Sequence, residues 1–178
     1  PISFPNCRRI VVTKIAKTAF AYCKSLTNIK IPQSVVEIGK NILRGCYELS
    51  KIIVDEKNVF YDSRENSNAI IETATNKLIK GCSSTVIPNT VQIIGRSAFA
   101  QCKNLEEIFI PLSVTTIGDL AFYECSGLKE IIIPYSVKEI GSKAFAECEN
   151  LKKITISNNS LLNKEVGIPE NATIEYSY

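Results

Sequence analysis

Ile87-Pro-Asn-Thr-Val-Gln-Ile-Ile-Gly-Arg-Ser-Ala-Phe-Ala-Gln-Cys-Lys-Asn-Leu-Glu-Glu-Ile-Phe109 is a 23-residue unit that begins again at Ile110-Pro111 and at Ile133-Pro134. Each copy keeps Ile-Pro, Val, Ile-Gly, Ala-Phe, Cys, Leu and Ile at fixed offsets. Self-similarity at this period is the signature of a solenoid, in which each unit is one coil stacked on the next. One coil cannot bury its own apolar side, so stability has to come from its neighbours.

In the copy that starts at Ile110 the recurring apolar positions are Ile110, Val114, Ile117, Ala121, Phe122, Cys125, Leu128 and Ile131. Their spacing fits neither a period of two nor one of 3.6 across the whole unit. It fits a closed coil made of short segments that each turn one side chain inward. Leu128 to Ile133 ends in an Ile131/Ile133 alternation suited to a short strand. Pro134 stops that strand because it has no N–H for a ladder, and Ser136 suits the turn that follows. Val137 to Ile140 suits a second short strand. Gly95, Gly118 and Gly141 share one slot, and the expectation drawn from this is a backbone position with positive φ. Ala144 to Cys148 has room for about one helical or 3₁₀ turn.

The pattern I-P-x-[ST]-V-x-x-I-G-x-x-A-F-x-x-C-x-x-L-x-x-I resembles the leucine-rich repeats of BspA-like surface proteins, and it covers about 150 of the 178 residues. Pro and Ser/Thr stand where the ordinary leucine-rich repeat has an Asn after its strand. The resemblance implies a repeat solenoid, a leucine-rich repeat horseshoe wound as a right-handed coil. Such a coil is β-rich, with short strands and 3₁₀ or one-turn helical segments. It also implies an extracellular or cell-surface location and a non-catalytic protein-interaction or adhesion module. The partner would be a protein or glycan on a host cell or matrix. The alternative is a structural spacer, a scaffold solenoid that presents another domain.

Composition narrows the chemistry. The chain has seven Cys and no His, Met or Trp. Without His there is no Ser-His-Asp or Cys-His device. No two glycines lie closer than six residues apart, so no phosphate-cradling loop is present. The expectation is therefore no enzyme, no catalytic residues and no cofactor. No Cys-x-x-Cys pair occurs, which argues against zinc and leaves the metal assignment at none. Asp55, Glu56, Asp62 and Glu65 cluster without matching a calcium loop and read as a solvated loop. A net charge of +3 is too small to imply nucleic acid. Lys51, Lys129, Lys152 and Lys153 near the ladder are interrupted by Glu106, Glu107 and Glu130, which argues against a nucleic-acid stripe. No apolar run approaches the length of a membrane span, so this segment is not expected to insert. Because the sequence opens in mid-pattern at Pro1 without a signal peptide or initiating Met, it reads as a fragment or processed product. Asn158-Asn-Ser160 and Asn171-Ala-Thr173 match the glycosylation sequon.

Taken in order, the repeats run 8–30, 31–53, 87–109, 110–132 and 133–155, with an irregular coil at 54–86 and a C-terminal cap at 156–178, all in one domain. The irregular coil has 33 residues. Ala69 to Thr73 and Lys77 to Lys80 read as a β-hairpin around a three-residue loop. Ile70, Ile71, Leu78 and Ile79 form that hairpin, one side of which is expected to cover the core that the missing Ala-Phe-x-x-Cys segment would have filled. Cys23, Cys46, Cys102, Cys125 and Cys148 share a slot and form a column of reduced, buried, poorly reactive thiols. Cys82 sits outside that column.

The alternation also exposes a candidate site. Residues between the inward isoleucines form an outward column: Lys30, Ile53, Phe109, Ile132 and Thr155. Just past the prolines lie Leu112 and Tyr135. Phe109, Leu112, Ile132 and Tyr135 are therefore expected together near the ladder face, where an apolar patch marks a contact site. The competing readings are that β-propensity alone selects Phe and Ile there, or that neighbouring loops cover them.

Overall fold

The computed structural model describes residues 11–157 and 164–176. In chain order the strands are β1 (Lys14–Ile15), β2 (Asn28–Ile31), β3 (Glu37–Ile38), β4 (Lys51–Val54), β5 (Tyr61–Asp62), β6 (Ala69–Glu72) and β7 (Lys77–Gly81). They continue as β8 (Ile93–Ile94), β9 (Thr116–Ile117), β10 (Glu130–Ile133), β11 (Glu139–Ile140), β12 (Lys153–Ile156) and β13 (Thr173–Tyr176). Helical structure among the described residues is confined to 3₁₀ turns at Arg64–Asn66 and Lys164–Val166. The chain is a β-solenoid of about seven turns.

The longer strands make the main face. β2 pairs in parallel with β4, and β10, β12 and β13 form a second parallel run. Like residues meet across the coils: Lys30 faces Ile53, and Ile131 faces Ile154. The C-terminal segment thus adds a strand to the last coil, through Thr173 to Tyr176. Residues 105–110 lie between the two runs. They keep the inward/outward alternation (Ile108 half-buried, Phe109 exposed, Ile110 buried) without strand hydrogen bonding.

The short strands build a second face of six, in the order β11-β9-β8-β7-β6-β5. The hairpin enters this face directly. β7 takes the place of a coil's second short strand, pairing in parallel with β8 through Lys77 and Leu78. Its other edge pairs with β6 in antiparallel fashion. The loop has four residues, 73–76, where the sequence predicted three. The hairpin also buries both of its sides. A register shift lies between Ile70 and Ile71, and strand alternation sends these two successive buried side chains to opposite faces. Ile70 packs into the N-terminal core cluster, and Ile71 and Leu78 into the C-terminal one, all at 0% exposure. Ile79 is half-buried against the N-terminal cluster. The hairpin is a wall between two cores.

The back of each regular coil is a run of turns stitched to the next coil. Ser97, Phe99 and Gln101 donate their N–H groups to the carbonyls of Asp119, Ala121 and Tyr123, at 2.9, 2.7 and 2.7 Å. Between them, Ala98, Ala100 and Cys102 bond three residues back within their own coil. In the three repeats between 87 and 155 the left-handed positions of this run are not glycines. Ser97, Gln101, Leu120, Glu124, Lys143 and Glu147 all have φ between 54° and 63°.

This corrects the expectation for the glycine slot. Gly95, Gly118 and Gly141 do not have positive φ. They are small because the neighbouring backbone leaves no room. A Cβ on Gly141 would lie 2.3 Å from the Asp119 nitrogen, and one on Gly95 2.7 Å from the Leu78 oxygen. Ala16 holds the same slot in the first described coil, where no earlier described coil crowds it.

Stacking at this spacing fixes the side-chain columns. The rings of Phe99 and Phe122 lie 5.1 Å apart with planes 2° from parallel, and those of Phe122 and Phe145 5.5 Å and 9°. Such offset pairs add about 0.5–1.5 kcal/mol each beyond area burial. The column stops where Gly81 holds the Phe slot, donating its N–H to Ala98 as Phe99 does to Ala121. A Cβ there would meet the Phe99 ring at 2.3 Å.

The thiols follow the same geometry. Cys46, Cys125 and Cys148 each direct Sγ at the carbonyl oxygen of a phenylalanine 26 residues earlier, at 3.1 Å. Cys46, Cys82, Cys102, Cys125 and Cys148 are free and buried. Cys23 is exposed, contrary to the expectation for the whole column, because no described coil stacks on its N-terminal side. Burial pushes the Cys125 thiol well up and Cys148 up to about 12.

Two outcomes follow from this packing. Ile70→Ala and Leu78→Ala should each cost about 2–5 kcal/mol, because both side chains are deleted from fully enclosed positions; chemical denaturation measures this, and unchanged midpoints for both would place the hairpin in solvent. Thiol labelling of the native protein at pH 8, mapped by mass spectrometry, should modify Cys23 quickly and leave Cys125 and Cys148 unmodified until denaturation. Burial favours the protonated form of Cys125 and Cys148, so raising the pH past the ordinary thiol range should not speed their labelling. Rapid native labelling of Cys125 would contradict this.

Candidate functional site

The candidate site is built on the main face. Strand alternation sends every second residue outward, and the Ile-Pro step that follows ends each strand with a turn. Phe109 and Ile132 occupy the outward position immediately before Ile110 and Ile133, while Leu112 and Tyr135 follow the prolines. All four are solvent-exposed, at 75% for Phe109, 57% for Leu112, 63% for Ile132 and 68% for Tyr135. No described loop covers them.

Two further apolar residues belong to the same column. Val86 is exposed at 69%, and Ile53 at 39%. Val86 was missed because the irregular coil breaks the 23-residue count. Its signal is local: Val86 precedes Ile87-Pro88 as Phe109 precedes Ile110-Pro111. The column therefore reads Ile53, Val86, Phe109 and Ile132, with Lys30 at its start and Thr155 and Glu175 at its end.

Charged residues beside the patch are neutralised across coils. Lys129 reaches Glu106 at 2.6 Å, and Lys153 reaches Glu175 at 2.9 Å. The hydrogen bond between Lys129 and Glu106 holds the carboxyl below and the ammonium above their ordinary ranges. Such exposed pairs are screened by salt. They leave the ladder face without a continuous basic stripe. Two further ion pairs join residues 23 apart on adjacent coils, Lys14–Glu37 and Arg96–Asp119.

The acidic residues of the irregular coil do not converge. Asp55 bonds the Lys57 N–H and pairs with Lys30. Burial pushes the Asp62 carboxyl up, but hydrogen bonds from Arg64 and Thr73 outweigh this and hold it low. Arg64 contacts both of its oxygens, at 2.8 and 2.6 Å. Glu56 and Glu65 point to solvent. Among the described residues no group of three or more His, Cys, Asp or Glu side chains could hold a metal. No helix of the described residues is long and apolar enough to cross a membrane. Asn171 is exposed in a turn, and Asn158 lies outside the described residues.

The comparisons agree with this architecture. No curated protein is measurably similar in sequence. Among solved structures, a leucine-rich repeat protein from Eubacterium ventriosum superposes with a TM-score of 0.70 at 31% identity, covering 85% of this chain and 40% of its own. A leucine-rich cell surface protein from Faecalibacterium prausnitzii gives 0.64 at 29% identity, covering 94% and 52%. The pneumococcal vaccine antigen PcpA shares the fold, with a TM-score of 0.63 at 24% identity. The chain thus spans about half or less of the first two of these proteins. The family described as "BspA type Leucine rich repeat region (6 copies)" matches residues 2–82 and 69–168. The 23-residue metre, the stacked Ile, Phe and Cys columns and this match together place the chain in the BspA-type leucine-rich repeat family.

Proposed function

We propose that this chain is a non-catalytic interaction module of a cell-surface or secreted protein, and that it binds a protein partner through the apolar column of its main face. The observation that carries this reading is the exposure of Phe109, Leu112, Ile132 and Tyr135 on neighbouring coils, extended by Val86. Large exposed apolar patches rimmed by polar groups are typical of contact surfaces, and aromatic residues dominate interface hot spots. A spacer needs no such column. The two ends of the same column, Lys30 and Glu175, are charged, so a solvated outward residue is compatible with the fold. The surface location rests on family membership and on the Faecalibacterium relative being a cell surface protein.

The test is the double variant Phe109→Ser with Tyr135→Ser. Both side chains are exposed, so its melting temperature should match that of the parent. Immobilised parent and variant are exposed to solubilised surface proteins of epithelial cells, and captured proteins are quantified by mass spectrometry. Loss of two aromatic anchors should lower capture of the specific partner roughly tenfold or more. Equal capture by both proteins, with stability unchanged, would show that this face is not the binding site.

A further inference from the structure

The irregular coil omits its back segment, and the omission leaves a cleft of about 660 Å³ on the side of the solenoid away from the main face. One wall is the back of the second repeat, with Lys40, Asn41, Leu43 and Arg44. The other is the back of the coil that follows the hairpin, with Arg96 and Gln101. Lys77 and Lys80 of β7 lie between them, and Lys143 stands at the rim. We propose that this cleft binds an acidic saccharide, through its carboxylate or sulfate group and an adjoining hydroxyl.

In the first repeat Thr18, Phe20 and Tyr22 donate their N–H groups to Lys40, Ile42 and Arg44 of the second. The equivalent donors of the second repeat are Asn41, Leu43 and Gly45. Asn41 and Gly45 keep the left-handed conformation of their counterparts, at φ 57° and 72°. The irregular coil offers them no back segment, and among the described residues these three N–H groups find no acceptor. Asn41 and Leu43 line the cleft. Two peptide donors directed at the place of a missing chain are a ready anion cradle.

Six of the lining residues named here (Lys40, Arg44, Lys77, Lys80, Arg96 and Lys143) are cations, and Asp119 is the one carboxylate in the lining. Asp119 is already engaged, by Arg96 at 2.7 Å and by the Ser142 N–H at 3.0 Å. Lys80 is 8% exposed, and its ammonium has the Ala100 carbonyl at 3.2 Å and the Cys102 sulfur at 3.8 Å. It stands in for the peptide N–H that a regular coil would supply, since Gln101 donates to Tyr123 in the same way one coil on. A buried cation with no carboxylate beside it favours an anionic ligand.

Gln101 is 7% exposed. Its Nε2 bonds Glu124 at 2.7 Å, whereas its Oε1 is buried without a partner. That oxygen requires a donor, which a sugar hydroxyl supplies next to the anionic group. The volume is that of a small-ligand site. A peptide strand replacing the missing segment would not fit, because Gly81 already bonds Ala98 in the Phe slot and the Phe99 ring covers its α-carbon.

The test uses the whole chain, isotope-labelled for amide NMR, titrated with glucuronic acid, a sulfated disaccharide, inorganic sulfate, an acidic peptide and glucose. The expected result is saturable shifts of the Asn41 and Gln101 side-chain and backbone signals with one of the two acidic sugars, and none with glucose. Lys40→Gln with Lys77→Gln, neither residue being buried, should weaken that binding roughly tenfold or more, while Phe109→Ser with Tyr135→Ser leaves it unchanged. The proposal is overturned if neither acidic sugar binds at millimolar concentration. It is also overturned if inorganic sulfate or the acidic peptide binds as tightly as the sugar, or if the lysine variant binds as the parent does.

Discussion

The structure depends on how closely the backs of successive coils approach. Backbone N–H groups of one coil meet carbonyls of the next at 2.6–3.1 Å at positions such as Tyr22, Phe99, Phe122 and Thr18. At that distance a Cβ in the Ile-Gly slot would strike the backbone of the preceding coil. The slot therefore holds glycine, with conformational freedom playing no part. The same spacing forces the Phe rings into a parallel stack, aims the buried column thiols Cys46, Cys102, Cys125 and Cys148 at carbonyls, and lets oppositely charged residues 23 apart pair. Each feature is one constraint seen at a different place around the coil.

Much of this was legible in the sequence. A strict repeat places like residues on like residues, so the Ile, Phe and Cys columns, the inward/outward alternation and the exposed apolar patch follow from counting. The exceptions have physical causes. Glycine is small as well as permissive, and a sequence does not say which property a slot uses. The left-handed positions were hidden because they are filled by Ser97, Gln101, Leu120 and Glu124; cross-coil bonds hold those conformations, and local propensity gives no sign of them. The two-sided burial of the hairpin depends on its standing between the two core clusters, and an alternation pattern does not say that both faces of a strand meet a core. Val86 escaped notice because the insertion displaced the count.

The irregular coil gives the solenoid its two chemically distinct surfaces. On the main face it contributes Val86 to an apolar column that would otherwise be interrupted between Ile53 and Phe109. On the back it withholds a segment, leaving donors and cations without their usual acceptors. Ile42 and Leu43, which replace Ala-Phe in the second repeat, border this cleft and are buried in the N-terminal core cluster. The departures from the repeat are thus coordinated with one another. The proposed protein surface and the proposed small-ligand cleft have no lining residue in common, so the two proposed ligands would not compete.

Amide hydrogen exchange tests the central claim most directly. If cross-coil bonding at the back holds the solenoid together, the Phe99, Phe122 and Phe145 amides should exchange only through global unfolding. The exposed Asn41 amide occupies the equivalent place beside the missing segment and should exchange orders of magnitude faster. Rapid exchange at the three phenylalanines, or protection of Asn41 equal to theirs, would contradict the account.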